Sequence, residues 1–133
     1  DQPPRALRKV ASGGELSRIS LAIQVATAGV SGVPVLVYDE VDSGVSGRVA
    51  AVLARLLRTI ASGRQVLCIT HMPQVAAAGG RHLLIGKSVS AGTTRTTIDY
   101  IEGEQRAGEV ARMLSGETLT DKTLAHAREL LAG

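Results

Sequence analysis

Apolar residues recur along this chain with two different periods, and the switches between them mark out its elements. Leu16, Ile19, Ile23 and Ala26 follow one another at helical spacing. The four residues Ser12-Gly13-Gly14-Glu15 stand in front of them as an S-x-x-E capping box, in which Ser12 and Glu15 each satisfy a backbone N–H at the helix start. Gly29 to Pro34 ends that helix and turns the chain. Val35 to Tyr38 is then a short, β-branched run that stops at two acids, Asp39 and Glu40, and predicts a buried central strand with carboxylates at its end. A glycine-rich turn, Ser43 to Gly47, leads into a second amphipathic helix. Its predicted apolar face is Val49, Val52, Leu53, Leu56, Leu57 and Ile60, closed by Gly63.

Gln65 to Thr70 predicts a second buried strand, ending at His71, and Pro73 to Ala78 a short helix before Gly79-Gly80. The runs 82–86 and 94–101 predict a β-hairpin joined around Ser90-Ala91-Gly92. Two helices, over about 105–114 and 120–131, finish the chain on either side of Ser115-Gly116. There are no internal repeats. The order helix, strand, helix, strand, hairpin, helices is half of an α/β sandwich with parallel core strands.

Composition narrows this picture. With 133 residues the chain has room for one domain, large enough to fold and small enough to lean on a partner surface. Two Tyr and no Phe or Trp leave the core to Val, Leu, Ile and Ala, and argue against base stacking as a means of holding single-stranded nucleic acid. A net charge of +3 is too mild to indicate a nucleic-acid surface, and Arg5, Arg8 and Lys9 read as a solvated approach segment. Cys68 is the sole cysteine, so it reads as a small buried hydrophobe in a reducing compartment. No charged-then-apolar leader opens the sequence, so no signal peptide is expected. The apolar window from Ile19 to Val37 is interrupted by Ser20, Gln24, Ser31, Gly32 and Pro34, which excludes it as a membrane span.

Three places carry candidate chemistry. Acids after a buried strand face the crevice where open α/β sheets bind ligands. Neighbouring strand residues point to opposite faces, so Asp39 and Glu40 are expected to do different jobs. In a nucleotide hydrolase the first would sit in the Mg²⁺ shell and the second would orient or deprotonate the attacking water. The plain alternative is two solvated acids at a turn. Ser12-Gly13-Gly14 offers backbone N–H groups and a helix dipole to a phosphate, or is an ordinary cap. His71 could hydrogen-bond a γ-phosphate, or simply end a strand. His82 and His126 take no site, and the histidines and the cysteine show no metal-ligand spacing. Gly86-Lys87-Ser88 imitates the end of a P-loop, but the first glycine of the motif is missing and a hairpin follows where a helix must open. The sequence therefore holds no Walker A motif.

Ala11 to Arg18, Val37 to Asp42 and Ile69 to His71 stand in the order signature motif, Walker B, switch histidine. That order resembles the ATPase heads of the SMC-like group of ABC proteins. The fuller blocks Asp39 to Arg48, Thr70 to Ala77 and Arg112 to Gly116 resemble the bacterial members of that group that act in double-strand-break repair and recombination. The resemblance runs from Lys9 to Leu131. It implies the carboxy-terminal lobe of an ABC-type P-loop NTPase head across 1–133, α/β in class, with the P-loop half supplied from elsewhere. It further implies that two heads, as a homodimer, sandwich ATP, and that the full-length protein meets DNA in the bacterial cytoplasm, at the nucleoid, with no membrane involved. On that likeness Ser12, Gly13, Gly14 and Glu15 meet the γ-phosphate held by the opposite head, Asp39 lies by Mg²⁺, Glu40 is the catalytic base, and His71 contacts the γ-phosphate. This chain alone would then be inactive.

Two positions depart from the pattern. Glu15 stands where transporter-type signatures usually have Gln, and here it also serves the capping box. Ser46 stands where the D-loop of the group ends in Asp, so either Asp42 takes over the cross-dimer contacts or the loop couples the two sites differently. A transporter nucleotide-binding subunit and a non-hydrolysing dimerisation module are the alternative readings.

Overall fold

The computed structural model describes residues 13–27, 32–90, 92–116 and 118–133. Ser12, the predicted cap, lies outside them. The first helix, α1, spans Gly13–Ala26 and carries Glu15 in its first turn. Strand β1 (Val35–Tyr38) and strand β2 (Gln65–Cys68) flank helix α2 (Gly47–Ala61). The two strands pair in parallel, Val35 opposite Gln65 and Tyr38 opposite Cys68. The ladder runs one bond past each end, from Gln65 N–H to the Pro34 carbonyl and from Ile69 N–H to the Tyr38 carbonyl, both 2.9 Å. This is the βαβ unit that the alternation of periods predicts.

The chain divides into two compact units, 1–75 and 76–133. In the first, α2 buries Ala50, Leu53, Ala54, Leu57 and Ile60. Each fully buried Leu or Ile contributes roughly 1.5–3 kcal/mol of transfer free energy. The buried stripe is rotated from the predicted one. Val49 and Val52 are exposed, because the positions at i, i+3, i+4 and i+7 from Ala50 form the face turned inward.

The strands also differ from expectation. One face of the pair, Leu36, Tyr38, Val66 and Cys68, is wholly or partly buried, while Val35, Val37, Leu67 and Ile69 on the other are exposed. A two-stranded sheet with one crossover helix covers one face only. Helix α1 behaves likewise: Leu21 is buried, and Leu16, Ile19, Ile23 and Ala26, its predicted apolar face, are exposed among the described residues.

Helix α3 (Pro73–Ala78) crosses from the first unit into the second. Strands β3 (His82–Ser90) and β4 (Thr93–Ile101) form the antiparallel hairpin, longer at its tip than predicted. Its turn contains Gly92 at φ 76°, a left-handed conformation that costs glycine nothing. Gly86, Lys87 and Ser88 lie inside β3, opposite Thr97, Thr96 and Arg95. A Cβ at position 86 would come within 2.8 Å of Thr97 Oγ1, so cross-strand packing accounts for the glycine of the false P-loop.

Helices α4 (Gly103–Ser115) and α5 (Asp121–Ala132) complete the second unit around Ala77, Val110, Ala111 and Ala127, with leucines 114, 124, 130 and 131 packed outside them. Thr120 caps α5 through a reciprocal box, its Oγ1 accepting from Thr123 N–H at 3.2 Å while its own N–H donates to Thr123 Oγ1 at 2.9 Å. Arg106 on α4 donates through Nη2 to the carbonyls of Ala77 (3.0 Å), Ala76 (3.3 Å) and Gly79, which satisfies the orphan carbonyls at the end of α3.

Candidate functional site

Parallel pairing carries the ends of β1 and β2 side by side, and with them the loops that hold Asp39, Glu40, Asp42 and His71. Strand β1 stops at Tyr38, so the strand alternation expected to send Asp39 and Glu40 to opposite faces does not reach them. The backbone bends instead, and Glu40 takes φ 55°, the one positive value found for a residue other than glycine among those described. Both acids are exposed. A turn follows, closed by Ser43 N–H to the Glu40 carbonyl at 3.0 Å and Val45 N–H to the Asp42 carbonyl at 3.2 Å, with Gly44 at φ 68°. Fully buried Val41 anchors that turn against the core.

Asp42 is the buried charged residue of the site, 1% exposed. Burying a carboxylate is costly unless its oxygens accept hydrogen bonds. Here Oδ2 accepts from Thr70 Oγ1 and from His71 N–H at 3.0 Å, and it lies 3.3 Å from His71 Nδ1. Thr70 Oγ1 in turn accepts from Met72 N–H at 3.0 Å. The His71 ring is otherwise open to solvent. Asp42 therefore faces the neighbouring loop of its own chain. Cys68 beside it has its thiol pushed up to about 11, first by burial and then by the negative charges of Asp42 and Asp39.

Helix α1 joins the same turn through Arg18, whose Nη1 donates to the Ser43 carbonyl at 2.7 Å. Of the expected site residues, Asp39, Glu40, Asp42 and His71 are thus gathered at one end of the strand pair. Gly13 and Gly14 open α1, and Glu15 lies exposed in its first turn. Ser12 falls outside the described residues. Thr70 and Arg18 received no role from sequence, since a threonine before a histidine and an arginine inside a helix carry no distinctive pattern. No group of three or more His, Cys, Asp or Glu side chains gathers as a metal cage among the described residues. A single exposed carboxylate at Asp39 fits Mg²⁺, which commonly takes one or two carboxylates together with phosphate oxygens and water.

The fold is of the SMC ATPase type. A solved chain from work on the structural biochemistry of ATP-driven dimerization and DNA-stimulated activation of SMC ATPases superposes with a TM-score of 0.55 at 19% identity, covering 83% of this chain and 65% of that one. In sequence the chain is similar to part of the DNA repair protein RecN of several bacteria. It is 52% identical over 130 residues to that of Vibrio cholerae, 48% to that of Xylella fastidiosa strain 9a5c and 46% to that of Bacillus subtilis. Each match takes in 98% of this chain, which spans only 23–24% of the relatives' length. No protein-family model matches the chain.

Proposed function

We propose that this chain is the carboxy-terminal half of an ATP-binding and hydrolysing head of a RecN-like protein acting in DNA double-strand-break repair and recombination. The observation that carries this reading is the juxtaposition of the Asp39–Glu40 bend with His71 at the ends of two paired parallel strands. Glu40 is the base that takes a proton from the attacking water, and the exposed ring of His71 addresses the γ-phosphate. Asp39 would hold Mg²⁺, which supplies neutralising charge to the phosphates. Gly13 and Gly14, at the start of α1 with Ser12 before them and Glu15 after, present backbone donors to a nucleotide held by a second copy of the head. Asp42 serves the site from inside its own chain, which favours a D-loop that couples the two nucleotides by another route than a direct Asp42 contact.

The phosphate cradle comes from a P-loop-bearing amino-terminal half, and the bare apolar face of Val35, Val37, Leu67 and Ile69 is suited to packing against it. The homodimer of heads, DNA as partner of the full-length protein and a cytoplasmic, nucleoid-associated setting follow from the same reading. No helix among the described residues is long and apolar enough to cross a membrane.

The deciding experiment is steady-state Mg²⁺-ATP hydrolysis by this chain alone and mixed with a P-loop-bearing amino-terminal half. No turnover alone, turnover in the mixture and its loss on Glu40→Gln with ATP still bound support the reading. Undiminished hydrolysis by Glu40→Gln would remove Glu40 from the role of base.

A further inference from the structure

We infer that Asp42 is the positioning residue of His71, fixing which ring nitrogen the switch histidine offers to its substrate. This rests on the ATPase reading for its consequence, but its geometry stands on the network itself. One oxygen, Asp42 Oδ2, accepts from Thr70 Oγ1 and from the His71 backbone N–H at 3.0 Å, and lies 3.3 Å from His71 Nδ1. The carboxylate is almost fully buried while the imidazole is 70% exposed, so the acid lies behind a ring that is otherwise largely open to solvent. With Nδ1 and the main chain turned to the same acid, Nε2 is the nitrogen left for a phosphate oxygen. A carboxylate that orients an imidazole from behind in this way sets both its tautomer and its direction. Thr70, which also accepts Met72 N–H, makes the loop rigid around that contact. The acid that does this lies two residues beyond Glu40, so the base and the histidine are mounted on one hydrogen-bonded frame.

The test is a cycle of Asp42→Asn, His71→Ala and the double variant in the full-length protein, read as kcat and KM separately, with thermal melting as the check on folding. Asparagine keeps one acceptor oxygen and loses the charge. The expected result is a kcat lowered about tenfold with KM nearly unchanged, the size of effect that outer partners of a histidine commonly show. The double variant should turn over no more slowly than His71→Ala alone, within about twofold. Losses that multiply would overturn the proposal, since Asp42 would then act by another route. A second measurement needs neither variant nor turnover. Amide exchange of His71 in the wild-type protein should be slow despite the exposed side chain, and exchange at the rate of an open loop would also overturn it. If the wild type hydrolyses no ATP, the functional reading fails while slow exchange at His71 still supports the positioning.

Discussion

Arg18 Nη1 donates to the carbonyl of Ser43 at 2.7 Å, which fastens helix α1, the helix that Gly13 and Gly14 open, to the loop that carries Glu40 and Asp42. The contact is exposed, so its net contribution to stability is no more than about 1–1.5 kcal/mol. Its effect on the site is larger than that figure suggests, because the Ser43 carbonyl belongs to the turn that aims both acids. Arg18→Ala should lower the urea midpoint only slightly and reduce ATP turnover of the complete protein several-fold. Arg18→Lys, which keeps the charge but loses the planar fork, should fall between the two. An unchanged turnover in Arg18→Ala would mean that the turn holds its shape without this tether.

Glu40 occupies the left-handed region at φ 55°, where a residue with a Cβ is held at a cost of about 1–2 kcal/mol. Glycine at this position relieves that cost. Glu40→Gly should therefore melt at the same temperature as the wild type or higher, while hydrolysis disappears. Glu40→Gln keeps the backbone strain and should melt near the wild type, also without turnover. A marked loss of stability in Glu40→Gly would show that the carboxylate, not the backbone, is what the fold needs there.

Strand and helix types were legible in the sequence because Val35–Tyr38 is rich in β-branched residues, because Val66 to Cys68 is a short apolar run, and because α2 carries an unbroken apolar stripe. Which face would be covered was not legible. The run Val35 to Tyr38 is apolar on both sides, and nothing in it says that one face is left bare within this chain. That the motif acids and His71 would lie close together was legible, whereas the buried, hydrogen-bonded setting of Asp42 was not. That setting depends on the register of β1 against β2, which brings Thr70 and His71 within reach of Asp42, and register is a property of the pairing rather than of either segment. The bend at Glu40 was missed for a similar reason: strand alternation was extended past the residue where the strand ends.

Val37 is two-thirds exposed, and its neighbours on the same face, Val35 and Leu67, are exposed too. If this face packs against the amino-terminal half, Val37→Thr should leave the isolated chain nearly unchanged and destabilise the complete head by about 1–2 kcal/mol, as a buried valine exchanged for a hydroxyl does. Chemical denaturation of the two forms gives the comparison. Equal shifts in both would leave the face bare in the whole protein.

The Cys68 thiol, pushed up from 9.0 to about 11 by burial and by Asp42 and Asp39, is held in its unreactive form at neutral pH. A rise of about two units reduces the thiolate fraction about a hundredfold. Iodoacetamide near pH 8 should modify Cys68 about two orders of magnitude more slowly than a free cysteine. Asp42→Asn, which removes one of the two charges, should speed that reaction. A rate equal to that of free cysteine would contradict the buried, acid-flanked setting of β2.

His82 opens β3 with Nδ1 buried and no partner for it among the described residues, and its pKa is lowered, first by burial and then by the guanidinium of Arg106, against a smaller opposing pull from Glu109. The folded state therefore favours the neutral ring. The unfolded chain takes up the proton near the ordinary histidine value of about 6.5, so the stability tied to this ring is complete above that pH and is lost as the pH falls through it. Acidifying from about pH 7.5 to 5.5 should lower the unfolding free energy, and His82→Phe, which fills the same space without titrating, should shrink the decrease. Urea unfolding at the two pH values, in wild type and variant, measures it directly. An equal decrease in both would assign the acid sensitivity to groups other than His82.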